Sequence, residues 1–366
     1  METDRLEALK STEGMVDYDR NSAAQQQLVK VQAGLIRSLA GRLGFVPPEL
    51  KIVDYGCGPG TSAIDAVRPA IEAYRARFPE SRISVCHADQ PGNDWNALFE
   101  LATGPSGYLD GVEGVRTEAA IGSFYDQMVA EDSVGLATCF VASQWLSHAV
   151  CLHAPGTVWF ADLEGKAREE MAAFARRDWI RFLRCRALEL RRGGYLLVST
   201  LGAVPDSREI NGAAVSGRGI YRALQVVAQG MADDGLIDQE VLDSFLFSLW
   251  FMTANEAREP LETDAFLKES FDIEDIGVVP APVNPSDIFA QFIADPVKYA
   301  SLYAGYTRAF GASSLRTQLL EPSSDGEAGI DRLEQELFHR LEALYRENPG
   351  RYACEVWYLT VVLRRS

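Results

Sequence analysis

Metal-binding and cross-linking side chains are sparse in this sequence of 366 residues. It has four histidines and six cysteines, the cysteines are scattered without any CxxC pair, and the histidines do not cluster near them. Structural zinc sites and disulfide frameworks both need such side chains at short, regular spacings. The sequence therefore predicts no zinc site, names no metal ligand and predicts no disulfide bond, and it leaves open whether a divalent ion binds.

Long apolar runs and excess positive charge are also missing. No stretch is long and apolar enough to cross a bilayer, and the polar residues 1–5 lack the apolar core of a signal peptide. Acidic residues number 52 against 35 basic ones, and the net charge of -17 repels nucleic acids and anionic membranes. We therefore expect a cytoplasmic protein with no nucleic-acid or membrane partner.

Apolar residues, in contrast, are plentiful enough to build a large core. They make up 47% of the chain, and charged residues make up 24%. A chain of this length and composition is typical of an enzyme with one large domain plus an insertion.

The most informative segment is residues 51–61, where Asp54 stands two positions before a glycine-rich turn. Ile52 and Val53 predict a buried strand, and residues 62–74 continue as a helix with apolar residues on one face. The glycines at the turn, which let the backbone bend where a side chain would block a ligand, are Gly56, Gly58 and Gly60. Strand, turn and helix predict the nucleotide-binding half of a doubly wound, mostly parallel α/β sheet.

Charge separates the two cofactor classes that use this arrangement. A carboxylate at Asp54 would repel the pyrophosphate of NAD(P), but it would attract the ammonium and sulfonium groups of S-adenosylmethionine. Asp89 ends the next predicted strand, where a carboxylate accepts ribose hydroxyls in either cofactor class. An ordinary strand-end turn over residues 90–94 is the alternative for Asp89. Asp54 thus favours S-adenosylmethionine.

The remaining pattern predicts a core interrupted by a helical insertion. Strands are expected over residues 132–140, 195–200 and 352–363, and helices over 22–43, 164–190, 219–231, 237–250, 286–310 and 331–345. We expect glycines 193 and 194 to end the helix over 164–190. Residues 1–204 would form the N-terminal segment and the main part of the core, 205–330 a mainly helical cap over the cofactor, and 331–366 the final helix and strand. A cap in that position would help to choose the substrate.

Several unusual motifs stand in one order along the chain. They lie at residues 18–25, 54–57, 89–99, 122–125, 145–147 and 182–190. Together they resemble the SABATH family of plant-type carboxyl methyltransferases, whose members act on salicylate, benzoate, jasmonate and indole-acetate. The resemblance implies a Rossmann-like methyltransferase core under a helical cap, usually a homodimer. It also implies methyl transfer from S-adenosylmethionine to the carboxylate of a small organic acid, which gives a methyl ester.

The resemblance further implies which residues form the site. The cofactor would contact Tyr18, Ser22, Gln25, Asp54, Gly56, Cys57 and Ser62 at its methionine end, Asp89 and Gln90 at its ribose and adenosine, and Ser123 and Phe124 at its adenine. The substrate would face Tyr18, Gln25, Val141, Gln144, Trp145, Tyr221 and Trp250. Gln25, Gln144 and Trp145 would be the catalytic residues, because they orient the substrate carboxylate.

This chain also departs from the family pattern. Val141 and Gln144 stand where many relatives have a tyrosine and a histidine, and Lys10 corresponds to a family lysine without its usual sequence context. Arg218 and Arg222 could pair with a second substrate carboxylate or could be solvated helix positions. The acceptor therefore stays open among aromatic, indole, terpenoid and dicarboxylic acids.

Three alternatives to this activity stay open. They are an N-methyltransferase acting on a heterocycle, an NAD(P)-dependent oxidoreductase, and a non-catalytic protein that binds S-adenosylmethionine. A carboxylic acid is already ionised near pH 7, so an ester-forming enzyme would need orientation and desolvation rather than a strong base.

Overall fold

A computed structural model describes residues 23–204, 215–282 and 285–366 of the chain. Its strands are β1 (Leu50–Tyr55), β2 (Ile83–Asp89), β3 (Val115–Ile121), β4 (Val134–Phe140), β5 (Leu190–Leu201), β6 (Phe271–Pro280) and β7 (Trp357–Arg365). Its helices are α1 (Ala23–Arg42), α2 (Thr61–Arg77), α3 (Trp95–Thr103), α4 (Gly165–Glu189), α5 (Arg218–Asp233), α6 (Gln239–Leu242), α7 (Ala254–Thr263), α8 (Ala265–Ser270), α9 (Pro285–Ala290), α10 (Pro296–Leu315) and α11 (Glu327–Glu347). Short 3-10 and π-helical turns occupy Phe160–Asp162 and Arg316–Leu320.

The strands form one seven-stranded sheet in the order β3-β2-β1-β4-β5-β7-β6. Strands β1 to β5 run parallel, and β7 pairs antiparallel with both β5 and β6. The strand order reverses between β1 and β4, and ligands of doubly wound sheets bind at such a point, beyond the carboxyl ends of the strands. The predicted doubly wound, mostly parallel sheet is confirmed.

Helices cover both faces of the sheet, as a parallel sheet requires. Strand β4 is buried at every position, and its neighbour β1 is nearly so. On one face, Ile36 of α1 and Val67 of α2 share an apolar cluster with β1 residues. On the other face, Trp179 and Phe182 of α4 pack into the larger cluster, with their rings stacked 5.5 Å apart.

Two strands were not predicted from the sequence. β3 and β6 lie at the two edges of the sheet, and exposed and covered positions are mixed along both. Charged residues on such edge strands hide the apolar pattern by which a strand is recognised. β6 also lies within residues 205–330, so the segment expected to be mainly a helical cap contributes one strand to the sheet.

Three helix predictions were wrong in part. The helix expected over 286–310 is two helices, Pro285–Ala290 and Pro296–Leu315. Within residues 237–250 only Gln239–Leu242 is helical, and residues 245–252 run extended against the turn that follows β4. Those residues are buried on all sides, and burial on all sides gives no helical period to read. Gly193, expected to end α4, lies inside β5, because α4 ends at Glu189 and the strand begins at the next residue.

The described ranges lack both metal-binding clusters and membrane spans. They contain no group of three or more His, Cys, Asp or Glu side chains placed to hold a metal ion. None of their helices is long and apolar enough to cross a membrane. All six cysteines are free thiols.

A buried ion pair lies between the sheet and α4. Arg186 Nε donates to Glu189 Oε2 at 2.6 Å, and both side chains are 0% exposed. The same guanidinium donates to the carbonyl oxygens of Phe124 and Asp126 at 2.7 and 2.9 Å, and the Tyr55 hydroxyl donates to Glu189 at 2.6 Å. The pair therefore ties α4 to β1 and to the loop after β3.

We predict that Glu189→Gln destabilises the fold, because it leaves the Arg186 charge buried without its counterion. Breaking a buried pair typically costs about 3–5 kcal/mol. Urea unfolding would measure the loss. The matched control is Glu259→Gln, because Glu259 pairs with Arg176 at 2.9 Å with side chains 43% and 51% exposed. That change should cost no more than about 1 kcal/mol. Equal losses in the two variants would contradict the prediction.

Candidate active site

A cleft opens at the carboxyl ends of β1, β2 and β4, where the strand order reverses. Residues of the β1–α2 turn that line it are Asp54, Gly56, Cys57, Gly58, Pro59 and Ser62. The opposite wall comes from the β2–α3 loop, with Asp89, Gln90, Gly92, Asn93 and Asp94, and from Phe124, Phe140, Val141, Ala142, Trp145 and Phe310. The cleft thus lies where this fold class binds ligands.

The backbone at Gly56 passes too close to its neighbours to carry a side chain. Its φ is +71°, and a Cβ there would lie 2.3 Å from the Cβ of Ala142 and 3.5 Å from the ring of Phe124. Its N–H donates to the carbonyl oxygen of Ala88 at 2.7 Å, which holds the turn on the end of β2. Only glycine meets these conditions.

Asp54 is a buried carboxyl group at the floor of the cleft. It is 3% exposed, and its Oδ1 accepts a hydrogen bond from Thr138 Oγ1 at 2.7 Å. Burial raises the pKa of Asp54 to about 7. The Thr138 hydrogen bond lowers this pKa in part, and the negative charge of Asp89 raises it further. Among the residues that the structure describes, no cationic side chain pairs with Asp54. The site is thus suited to a cation supplied by a ligand.

Asp89 holds the two loops of the cleft together. Its two oxygens accept the backbone N–H groups of Gly58 and Gln90, each at 2.7 Å. Asn93 Nδ2 adds a bond to the carbonyl oxygen of Gly58 at 2.9 Å. Burial raises the pKa of Asp89, and the two N–H groups oppose that increase. The Cys57 thiol is a third hydrogen-bond partner of this carboxylate, which has about four lone-pair sites, so Asp89 can still accept a ligand hydroxyl.

A second cavity, called here the apolar cavity, adjoins the cleft. It is lined by Val141, Gln144, Trp145, Leu201, Gly217, Ile220, Tyr221, Leu249, Phe251, Tyr306, Phe310, Cys354 and Val356. Three of these residues, Val141, Trp145 and Phe310, also line the cleft. A ligand in the apolar cavity would therefore meet a ligand in the cleft at these shared residues.

The turn after β4 separates the two spaces and is strained. Val141 has φ +49°, a conformation that β-branched residues rarely adopt. Its N–H donates to the Ser199 carbonyl oxygen at 2.9 Å, and its own carbonyl oxygen accepts from Gln144 Nε2 at 2.8 Å. The Thr200 hydroxyl donates to Gln144 Oε1. These bonds hold Gln144 and the turn in one arrangement.

Most of the residues implied by the family resemblance come together here. The cleft contains Asp54, Gly56, Cys57, Ser62, Asp89, Gln90, Phe124, Val141 and Trp145, and the apolar cavity adds Gln144 and Tyr221. Ser123 neighbours Phe124 without lining the cleft, and its hydroxyl accepts the Tyr125 N–H at 3.3 Å. Gln25 lies on α1, whose backbone alone is described at that point. Lys10, Tyr18 and Ser22 lie outside the described residues.

Trp250, which the resemblance placed at the substrate, lines neither space. Its ring packs on Phe160 at 4.7 Å, and its Nε1 donates to Glu256 at 3.2 Å. Successive side chains of an extended segment point to opposite sides, so its neighbours Leu249 and Phe251 line the apolar cavity instead.

Arg218 and Arg222 do not line either space. Both pair with Asp162, at 3.4 and 3.3 Å. A substrate carboxylate therefore finds neither arginine in the described lining of the apolar cavity.

Sequence reasoning missed several lining residues. Phe310 and Tyr306 are four positions apart on α10, so their spacing marks one helix face but not what that face meets. Thr138, which bonds to Asp54, belongs to no motif, and Asn93, which bonds to the Gly58 loop, lies in the motif at residues 89–99 but was given no role there. Only the tertiary structure brings them to the site.

The fold is that of a solved methyltransferase. The structure matches the solved structure of loganic acid methyltransferase with SAH at a TM-score of 0.75, with 21% identity and 98% of each chain covered. That likeness supports the fold. The family follows from a family model for SAM-dependent carboxyl methyltransferases, which matches residues 7–366.

The chain belongs to this family of S-adenosylmethionine-dependent carboxyl methyltransferases. Among its relatives, gibberellic acid methyltransferase 2 of Arabidopsis thaliana is 24% identical over 365 residues, which cover 92% of this chain and 88% of the relative. The salicylate carboxymethyltransferase of Clarkia breweri is 25% identical over 286 residues, with coverage of 73% and 76%. The SABATH resemblance and its cofactor, S-adenosylmethionine, are thereby confirmed. The geometry fits that cofactor. Gly56 has no side chain that would block the ligand, and Asp54 has no cationic partner among the described residues.

We predict that Gly56→Ala is more damaging than Gly58→Ala. Both glycines have positive φ, +71° and +57°, but only a Cβ at Gly56 collides with Ala142, whereas the space around Gly58 is open. Gly58→Ala should then cost about 1 kcal/mol or slightly more for backbone strain alone, and Gly56→Ala clearly more. Thermal unfolding and affinity for S-adenosylhomocysteine would measure both. Equal effects would show that backbone strain, not the contact with Ala142, sets the requirement.

Proposed function

We propose that the methyl acceptor is a small organic acid with a single carboxylate and an apolar body. The observation that carries this is the apolar cavity itself. Its described lining is aromatic and aliphatic except for the Gln144 amide, the Cys354 thiol and two tyrosine hydroxyls, and it includes no cationic side chain. A second carboxylate buried there would lose its hydration without gaining a counterion. Dicarboxylic acids are therefore disfavoured.

On the cofactor side, the two buried carboxyl groups would bind different parts of S-adenosylmethionine. Asp54 would bind the ammonium group of the methionine part, and Asp89, with Gln90, the ribose. Phe124, whose ring lines the cleft, would lie against the adenine, as the family resemblance implies. When bound, S-adenosylmethionine supplies an electrophilic methyl group on its sulfonium. The protein would supply the binding, orientation and desolvation of the two reactants.

The acceptor carboxylate would be oriented by Trp145 and Gln144. Trp145 lines both spaces, so a carboxylate beside it faces the cofactor cleft. An indole N–H and an amide N–H donate to a carboxylate without neutralising it as an ion pair would. No base is needed, because the acid is ionised near pH 7. Holding the two reactants in attack geometry can contribute on the order of 7–11 kcal/mol.

Gln25 is proposed as a third orienting residue. Gln32 on the same helix donates from Nε2 to the hydroxyls of Ser199 and Thr360, each at 3.2 Å, which fixes α1 beside β5. Gln25 precedes it by seven residues, about two turns, and so lies on the same helix face. This placement supports a position near the carboxyl end of β5.

The cap and the assembly complete the proposal. Tyr221 of α5 and Tyr306 and Phe310 of α10 close the apolar cavity, so the helices within residues 205–330 would act as the cap that chooses the acceptor. A homodimer is proposed from the family resemblance, and a cytoplasmic location from the sequence. Sedimentation of the purified chain and microscopy of a tagged copy would test these two points.

A labelled-methyl assay tests the proposed reaction. The protein would be incubated with methyl-labelled S-adenosylmethionine and a panel of aromatic, indole and terpenoid monocarboxylic acids, with dicarboxylic acids and nitrogen heterocycles as comparison. We expect label in a monocarboxylic ester that mild alkali cleaves. Label that resists alkali would indicate N-methylation. A fluorescence titration with NADH beside S-adenosylhomocysteine separates the oxidoreductase alternative, since we expect binding of the latter alone.

We predict that cofactor binding below neutral pH releases a proton from Asp54. The pKa of Asp54 is about 7 in the ligand-free protein, so at about pH 6 the group is mostly neutral. A bound ammonium group favours the carboxylate and lowers that pKa, so the proton leaves. Affinity for S-adenosylhomocysteine should therefore rise with pH through about 7. Calorimetry in buffers of different ionisation enthalpy measures the proton. Asp54→Asn should abolish the release, and proton uptake by the wild type would refute the assignment.

We predict that Trp145→Phe slows methyl transfer without loosening the cofactor. A hydrogen bond to a charged group contributes about 1.5–3 kcal/mol, so kcat/KM for the acceptor should fall about 10- to 150-fold. Affinity for S-adenosylhomocysteine should stay within about threefold, since the aromatic wall is kept. Trp250→Phe is the matched control, because its indole N–H serves Glu256 outside the site. A similar loss in both variants would mean that packing, not the N–H, matters.

A further inference from the structure

We propose that Thr200 is a positioning residue that fixes the direction of the Gln144 amide toward the acceptor carboxylate. This inference rests on the proposed function. Thr200 is the penultimate residue of β5, next to Leu201 of the apolar cavity, and is 0% exposed. Its hydroxyl donates to Gln144 Oε1, and no sequence motif points to it.

The direction of a glutamine amide decides whether it attracts or repels an anion. One end of the group only accepts hydrogen bonds, and the other end only donates them. The Val141 carbonyl oxygen, a pure acceptor, takes one N–H from Gln144 Nε2 at 2.8 Å. The Thr200 hydroxyl occupies the amide oxygen from the other side. A hydroxyl can also accept, but the buried Thr200 hydroxyl has no other acceptor for its proton among the described residues. Both contacts therefore favour the same orientation, in which the second N–H of Nε2 stays available for a ligand oxygen.

The opposite orientation would be unfavourable for an acid. The amide oxygen would then face the Val141 carbonyl oxygen, and no N–H would be fixed for the carboxylate. Removing the Thr200 hydroxyl takes away one of the two contacts that exclude this flip. It also leaves Gln144 Oε1 buried without its donor, since Gln144 is 3% exposed. Thr200 thus acts on the acceptor through Gln144.

The strain at Val141 gives a second reason to expect an effect. Val141 has φ +49° and lines both the cleft and the apolar cavity. Its carbonyl is held by Gln144, and its N–H by Ser199, the residue before Thr200 on β5. Two consecutive residues of β5 therefore hold the turn, and releasing Gln144 removes one of the restraints on a conformation that would otherwise relax.

Thr200→Val tests the inference, because it keeps the shape of the side chain and removes only the hydroxyl. Thr200→Ser is the matched control, since it keeps the hydroxyl and loses a methyl group. We expect Thr200→Val to raise the KM for the acceptor acid about tenfold or more. Affinity for S-adenosylhomocysteine should stay within about twofold, because Thr200 does not line the cleft. Thr200→Ser should behave like the wild type.

A comparison of inhibitors gives a readout that a merely structural role would not move. The neutral carboxamide analogue of the acceptor acid both donates and accepts, so it tolerates either amide direction of Gln144. The wild type should bind the acid better than its carboxamide, and Thr200→Val should lose most of that preference. An unchanged preference in a folded Thr200→Val protein, or an equal loss in Thr200→Ser, would overturn the inference.

Two further results complete the test. In a Gln144→Met background, Thr200→Val should have no additional effect on acceptor KM, because the amide is gone, and an additive effect would contradict the inference. If Thr200→Val does not fold, Thr200→Ala takes its place in the same comparison. A wild type that turns over no acid at all overturns the proposed function, and this inference with it. A wild type that turns over an acid while Thr200→Val matches it overturns this inference alone.

Discussion

The site depends on two buried carboxyl groups, Asp54 and Asp89, held at the ends of neighbouring strands where each disfavours the charge of the other. Burial raises the pKa of both, and the described residues supply hydrogen bonds to them but no counterion. A ligand that brings positive charge relieves this repulsion, whereas a pyrophosphate would add to it. The glycine turn at Gly56 is what lets such a ligand approach closely enough.

Orientation on the acceptor side follows from a different constraint. The turn after β4 is held in a strained conformation between the two spaces, and its residues supply N–H donors rather than cations or bases. An anion aimed by such donors keeps its nucleophilicity, and the aromatic surroundings remove its water. In the proposed reaction, charge selection at Asp54 and charge preservation at Trp145 are therefore complementary.

Much of the cofactor side could be predicted from the sequence, because Asp54, Gly56 and Asp89 belong to short motifs directly after apolar strands. The acceptor side could not, since Phe251, Phe310 and their neighbours come from segments far apart in the chain. Trp250 shows why side-chain directions in this region could not be predicted from the sequence. A helix was predicted there, whereas an extended segment turns alternate side chains away from the site. Likewise, the edge strands β3 and β6 carry mixed polarity that hides their period.

The cleft and the apolar cavity also draw on different parts of the chain. Apart from Phe310, the cleft is built from residues up to Trp145, whereas most of the cavity wall comes from residues after 200. Substitutions in the later segments can change the shape of the wall while the earlier segments keep the cofactor in place. Acceptor preference can therefore diverge among descendants of one ancestral chain without a loss of activity at each step. Among the described residues, only the three shared positions line both spaces, so a substitution at one of them can affect the cleft and the apolar cavity together.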